Sequence, residues 1–297
     1  MKTTTGRKVF LGFDIIFLTV VALICVLPFL NLLAISFSNK DAVAQGLVTF
    51  LPVGFTTSSY AFITGNSSFL KGLFVSLERV LLGVSINIAL IILVAYPLSR
   101  DKREFRARGF FSWFFVLTIL FNGGLIPTYL VVRYTGLLDS LWALVLPGAL
   151  PVFSMLVVMN YMRSLPQELN EAAYIDGANH METLIKIVLP VCTPTIATVV
   201  LFAFVGHWNS WFDGLIYMQK VDHYPLQTYL QTVVIKPEVF FANTSNVSQG
   251  LLSLLSRVDS RTSSAAQLFL GTLPILCIYP FLQKYFASGL VMGSVKG

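Results

Sequence analysis

From Ile15 to Phe37 the chain runs for 23 residues without a charged side chain. A helix rises about 1.5 Å per residue, so a run of this length covers the roughly 30 Å hydrocarbon core of a bilayer. Five further apolar stretches follow, and a helix inside a bilayer satisfies all of its backbone groups within one segment. No other feature constrains the chain as much. Each stretch reads as a helix that crosses, and the connections alternate between the two sides of a membrane. Composition agrees: 56% of residues are apolar and only 11% are charged, where a soluble domain carries about a quarter.

The expected spans lie at about 13–37, 74–98, 110–132, 140–162, 187–212 and 262–283, within a transmembrane domain of residues 13–288. Residues 1–12 are expected as a cytoplasmic segment and 289–297 as a cytoplasmic tail. Lys2, Arg7 and Lys8 precede the first run like the basic region of a signal peptide. The run is too long for a signal core, so it reads as an uncleaved helix. Gly123, Gly124 and Pro127 predict a break in the third span; Pro147 and Pro151 interrupt the fourth, and Pro190 and Pro194 kink the fifth. The three cysteines all fall within apolar runs without metal-ligand spacing and read as small buried hydrophobes.

Charge sets the orientation. RDKREFRAR, residues 100–108, is the densest basic loop and belongs in the cytoplasm. Six spans with the N-terminus inside place twelve of the twenty basic residues on that side. The net charge of +6 then reflects loops facing an anionic leaflet rather than nucleic acid. On the opposite side lies a long loop, Asp213 to Arg261. Within it Val239 to Ser256 is 18 residues without charge, but ANTSNVSQG is too polar to sit in lipid.

The longest cytoplasmic polar stretch between two spans is Ser164 to Pro190, SLPQELNEAAYIDGANHMETLIKIVLP. Ser164 and Gln167 have the spacing of a capping box, with Pro166 in the first turn. Glu168 and Glu171 place negative charge where the helix dipole favours it. Leu169, Ala172 and Ala173 give a flat apolar face, and Gly177 supplies a left-handed stop. A short cytoplasmic helix within 164–180 is expected, with His180 a solvated residue beside it.

Glu171-Ala172-Ala173, three residues, Gly177, nine residues, then Ile187-x-Leu189-Pro190 resembles the EAA motif of ABC-importer permeases. AYPLSR, residues 95–100, is similar to that family's AY-x-LSR ending. FNGGLIPTYLVVRYTGLLDSLWALVLP resembles its oligosaccharide-uptake branch, and the VKG-terminated tail that of the smaller permease of the maltose transporter. The resemblance implies an all-α polytopic membrane protein of the type I importer permease fold, with six transmembrane helices and a cytoplasmic coupling helix. It implies that Glu171, Ala172, Ala173, Asp176, Gly177, Ile187, Leu189 and Pro190 dock onto an ATPase. The partners implied are a second homologous permease, two cytoplasmic ATP-binding subunits and an extracytoplasmic solute-binding protein probed by the 213–261 loop. ATP and magnesium would sit on the ATPase subunits, no cofactor on this chain. The location implied is the bacterial plasma membrane, and the cargo a carbohydrate.

Candidate substrate-path residues are fewer. Glu78 and Arg79 lie near the outer end of the second span, facing a cavity or snorkelling to the interface. Asn122 precedes the double glycine. HWNSWFDG offers His207, Trp208, Asn209, Trp211 and Asp213: indole faces for stacking and polar groups for hydroxyls. An interfacial aromatic belt is the competing account, above all for Trp211; position relative to the coupling segment favours Trp208 and Asn209.

Other functions find less support. There is no G-x-x-x-x-G-K-[ST], no H-E-x-x-H and no G-x-S-x-G, so neither ATP hydrolysis nor membrane hydrolase chemistry is indicated. An ion-coupled secondary transporter of small polar solutes is the alternative, but the middles of all six spans lack Asp and Glu.

Overall fold

A computed structural model of the chain describes the backbone of residues 5–65, 67–235 and 259–294, with side chains at 6–65, 67–232 and 259–280. Among these residues all regular structure is helical. Three helices are long and apolar enough to cross a membrane: Gly6–Ser36, Ser67–Ser99 and Ser260–Pro280. Three bent pairs raise the number to as many as six if each pair is one span.

The bends fall where backbone donors are missing or glycine loosens the chain. Helices α5 (Arg108–Leu120) and α6 (Leu125–Tyr134) meet at 114° across Phe121 to Gly124, and Gly124 takes φ +85°. The expected third span is therefore two helices at a sharp angle, broken at the double glycine. Helix α7 (Leu141–Val145) continues through a 3-10 turn at Leu146–Gly148 and meets α8 (Val152–Ser164) at 47°, between Pro147 and Pro151. The helical run that leads into the expected fifth span starts ahead of Ile187. After α9 (Glu168–Ile175), α10 (His180–Thr183) runs into a π turn at Leu184–Val188, then α11 (Leu189–Val191). Pro190 has no N–H to close the preceding α turn, and the ladder widens there. An 81° bend leads to α12 (Thr193–Asn209).

The chain divides into two compact units. The first comprises residues 1–70 and 230–274. Its α1 (Thr5–Ser36) starts well before residue 13, and its apolar side chains point outward almost throughout, the arrangement lipid requires. Cys25 and Cys277 are likewise exposed and only Cys192 is buried, because an apolar side chain in a membrane gains nothing by turning inward. The connection that follows α1 is structured. Short helices α2 (Lys40–Ala44) and α3 (Ser58–Thr64) pack there, Asn39 Oδ1 caps α2, and the Ser36 and Tyr60 hydroxyls bond at 2.7 Å. The last helix, α15 (Ser260–Ser294), carries the backbone through most of the expected tail.

The second unit comprises residues 71–229 and 275–297. Most of α4 (Ser67–Ser99) lies here, an unbroken 33-residue helix. Its core joins Ile91, Ala95 and Leu98 of α4 to Met155, Val158 and Met162 of α8 and to Leu184, Val188 and Val199. A second cluster centres on Val132, Leu144 and Tyr217. The outer loop contains α13 (Phe212–Tyr217), a 3-10 turn at Val221–His223 and α14 (Leu226–Ile235); Val239 to Ser256 lies outside the described residues. Asp139, at φ +58°, fastens this loop. Its Oδ1 accepts from the Gln219 N–H (3.0 Å), the Lys220 N–H (3.4 Å) and His223 Nδ1 (2.9 Å). Burial pulls the Asp139 carboxyl upward, but these donors outweigh it and hold it below the usual carboxylate range.

Candidate functional site

A polar cavity of about 450 Å³ opens within the second unit, between α4, the α7–α8 break and the end of α12. Its charged wall is an ion pair 134 residues apart in sequence. Arg79 is only 3% exposed. Its Nη1 donates to Asp213 Oδ1 and to the Ser210 carbonyl, both at 3.2 Å. Its Nη2 donates to the Leu144 carbonyl at 3.4 Å and pairs with Asp213 Oδ2. Asp213 also accepts from Ser210 Oγ (2.8 Å) and from the Gly214 N–H (2.9 Å). A cation so buried is tolerable only when paired and hydrogen-bonded, and every one of these contacts serves that end.

Eight residues further along α4, Asn87 lies on the same face, since positions four apart in a helix stack. Its Nδ2 donates to the Gly148 and Ala149 carbonyls at 2.9 and 2.7 Å, groups exposed by the break before α8. Its Oδ1 lies 2.7 Å from His207 Nε2. With the amide nitrogen committed to two carbonyls, Oδ1 must accept and His207 must carry its proton on Nε2. Gly83, between Arg79 and Asn87, makes room for the ring: a Cβ there would come within 2.5 Å of His207 Nε2. Gly83→Ala is therefore expected to displace the imidazole and break its bond to Asn87, lowering stability by about 1–3 kcal/mol. An unchanged apparent melting temperature would show that the ring has room to move.

Of the substrate-path candidates, this cavity brings together Arg79, His207 and Asp213. The other five do not line it. Glu78 is exposed on another side of α4. Asn122 is exposed, its Oδ1 accepting from the Gly124 N–H at 2.8 Å. Trp208 is 1% exposed and stacks on Phe204 with centroids 6.2 Å apart. Asn209 is exposed at the end of α12, and Trp211 meets the Phe212 ring edge-on at 5.6 Å. The cavity adds Asn87, Ser154, Ser210 and Tyr217. An uncharged amide inside an apolar span was the one sequence signal for Asn87.

The polar segment folds differently at its two ends. Ser164 does not cap α9: it is the last residue of α8, and its Oγ donates to the Tyr161 carbonyl at 2.8 Å. The capping box lies after α9 instead. Asn179 Oδ1 accepts from the Glu182 N–H at 2.9 Å, and Glu182 Oε2 accepts from the Asn179 N–H at 3.1 Å. Those bonds, with Lys186, hold the Glu182 carboxyl below its usual range. At the C-terminus of α9, Gly177 takes φ +79°. Its N–H reaches the Tyr174 carbonyl (3.1 Å) and the Ala178 N–H reaches the Ala173 carbonyl (2.9 Å), the paired bonds of a Schellman motif.

Ala173 is buried, while Glu171, Ala172, Asp176 and Gly177 are exposed and Ile175 is 86% exposed. Ile187 and Leu189 are half-buried in the turns that follow, and Pro190 is exposed. Side-chain bonds tie α9 to the basic loop. Gln167 Nε2 donates to Asp101 Oδ2 (3.4 Å), and Tyr174 Oη lies 3.5 Å from Glu104 Oε2 and 3.1 Å from His180 Nδ1. Burial and then the Glu104 carboxylate raise the Tyr174 phenol above its ordinary range, so it keeps its proton to donate.

Comparison with known proteins places this geometry. A family described as "Binding-protein-dependent transport system inner membrane component" matches residues 8–291. The polygalacturonan/rhamnogalacturonan transport system permease protein YtcP of Bacillus subtilis (strain 168) is 38% identical over 281 residues, 95% of this chain and 96% of that protein. Protein LplC of the same organism is 37% identical over 297 residues, 100% of this chain and 98% of that protein. Among solved structures, a chain of a bacterial ABC transporter involved in import of the acidic polysaccharide alginate superposes with a TM-score of 0.85 at 28% identity, covering 96% of this chain and 99% of that one.

Proposed function

Because the chain belongs to the family of binding-protein-dependent transport system inner membrane components, we infer that it is the permease subunit of an ABC importer that passes sugars or oligosaccharides across the plasma membrane. The observation that carries this reading is the end-to-end match to carbohydrate permeases, 95% of this chain against 96% of the polygalacturonan/rhamnogalacturonan permease YtcP. An ion-coupled carrier has no comparable support. The permease is not itself an enzyme.

The finer roles belong to the same proposal. A second homologous permease closes the open side of the Arg79–Asp213 cavity, and the two together enclose the path. Two cytoplasmic ATP-binding subunits carry ATP and magnesium, and receive α9 through the exposed face of Glu171, Ala172 and Ile175. The extracytoplasmic binding protein delivers the cargo to the loop fastened at Asp139. Arg79 is neutralised by Asp213, so this wall of the cavity suits hydroxyls. The carboxylates of an acidic glycan are then read by the partner permease or the binding protein.

ATPase activity of the complete importer in vesicles tests the reading. Stimulation should require both the binding protein and one class of glycan, with galacturonate and alginate oligosaccharides among the first in the panel. ATPase activity indifferent to every binding protein and glycan, with uptake following an ion gradient, would overturn it.

A further inference from the structure

Beside the foot of the coupling segment lies a second cavity, about 320 Å³ in volume, that none of these roles uses. This is within the size of pockets that hold small molecules, roughly 300–1,000 Å³. Leu93, Pro97 and Leu184 form an apolar wall, Tyr96 and Arg100 a polar one, and Glu104 and His180 are part of its lining.

The polar wall is incomplete. Tyr96 and Arg100 are 7% and 8% exposed, and neither Tyr96 Oη nor Arg100 Nε makes a hydrogen bond. The guanidinium lies 4.4 Å from the centre of the Tyr96 ring, a contact that orients it and leaves Nε unbonded. The phenol of Tyr174 lies close to both side chains and bonds Glu104 and His180 at 3.5 and 3.1 Å, yet Tyr96 Oη and Arg100 Nε stay without a hydrogen bond. Among the described residues Arg100 has no carboxylate within ion-pair distance, whereas Arg79 has Asp213. Buried polar groups are almost always partnered, and an unmade bond from a charged donor is among the costlier defects a core can hold.

The one carboxylate of the lining, Glu104, faces the Tyr174 hydroxyl at 3.5 Å; the Tyr96 and Arg100 wall offers two donors, one of them a cation, and there an occupant meets them with acceptors and negative charge. A phosphodiester fits a guanidinium better than a single-point acceptor does. The apolar wall continues onto Leu93, itself exposed on the span, and the cavity lies at the start of the basic loop that faces the cytoplasmic leaflet. We propose that this cavity binds the headgroup of an anionic phospholipid, its phosphate between Tyr96 Oη and Arg100 Nε and its glycerol and upper acyl carbons along Leu93 and Pro97. His180 and Met181 line the same cavity, so the lipid touches the base of the coupling segment. The proposal rests on the importer reading under Proposed function, with the basic loop of residues 100–108 on the side of the ATP-binding subunits.

The test uses the complete importer in nanodiscs of phosphatidylcholine alone, or of phosphatidylcholine mixed with phosphatidylglycerol, read by native mass spectrometry and by binding-protein-stimulated ATPase activity. Tyr96→Phe and Arg100→Lys both preserve net charge, so general attraction to an anionic surface is unchanged. Each should retain phosphatidylglycerol roughly tenfold less well, the scale of one charge-assisted hydrogen bond, and should lose the ATPase response to that lipid. Lys102→Ala with Arg103→Ala, which alters exposed charge outside the cavity, should retain the lipid. If Arg100→Lys fails to assemble, Tyr96→Phe carries the test, since it keeps the ring beneath the guanidinium. Equal retention of both lipids by the unaltered importer, or undiminished retention by Tyr96→Phe, overturns the proposal. So does full replacement of the lipid's effect by soluble glycerol 1-phosphate, which would assign the site to a free phosphate. Binding-protein-dependent ATPase activity in pure phosphatidylcholine would leave the importer reading standing in each of those cases.

Discussion

Arg79→Leu is expected to cripple the importer. The substitution leaves the Asp213 carboxylate in the cavity wall without its cation and frees the Ser210 and Leu144 carbonyls that Arg79 now satisfies. Breaking a buried pair by removing one partner costs about 3–5 kcal/mol. The lower end applies here, because Asp213 keeps 23% of its side-chain exposure. A permease weakened that much should assemble poorly and transport little. The informative comparison is with the pair removed altogether: Arg79→Leu with Asp213→Leu leaves no orphaned charge, and should recover much of the lost stability. A double-mutant cycle on the apparent melting temperature measures this, with glycan uptake alongside. Additive losses would show that the two side chains act independently. Recovery of stability without recovery of uptake would assign the pair to the path rather than to the scaffold.

The second large effect is expected at Gly177, and its cause is conformational rather than steric. A Cβ at this position would meet no atom within 4 Å, so crowding is not what demands glycine. The demand comes from φ +79°, where an L-residue pays about 1–2 kcal/mol and a β-branched one more. Gly177→Val should open the paired bonds to Tyr174 and Ala173 and fray the last turn of α9. Ala173 is buried at that end, so fraying changes how α9 is seated as well as how it ends. Hydrolysis by the ATPase subunits should continue, while glycan uptake falls by roughly tenfold or more on the 1.4 kcal/mol-per-decade scale. Gly177→Asn separates the two causes, since asparagine tolerates the left-handed region. It should retain most of the uptake. Equal loss in both variants would sink the conformational account, and normal uptake in Gly177→Val would sink the coupling role of α9.

What could be read from the sequence divides along physical lines. A bilayer imposes a length, so runs such as Ile15 to Phe37 announce themselves. Proline and glycine mark the breaks, and Gly123, Pro147, Pro190 and Pro194 all stand beside one. The angles were not legible, because 47° at one proline pair and 81° at another depend on what packs against the bend. Ser164 and Gln167 have capping-box spacing, and so do Asn179 and Glu182. Choosing between them required knowing that α8 runs on through Ser164. Trp208 offered an indole at a plausible depth, but Phe204 one turn earlier shares its face and draws it into the interior. Asn87 escaped notice for the opposite reason. Neutral amides do not stand out in a search for charge, yet a buried amide at a helix break is the least costly way to satisfy two stranded carbonyls.

The unbroken course of α4 has a mechanical consequence. Arg79 lies within one continuous helix and Arg100 directly follows its last residue, Ser99; the 21 residues from one to the other span roughly 31 Å of α-helix. The broken spans can absorb motion at their elbows, whereas an unbroken helix moves chiefly by pivoting or sliding. A tilt of about 5° around the midpoint of that stretch would move Arg79 and Arg100 by roughly 1.4 Å in opposite directions. Displacements of that size are enough to make or break the bonds of Arg79 and to open or close the cavity beside Arg100. The helix is thus a seesaw, and whatever holds one arm sets the height of the other.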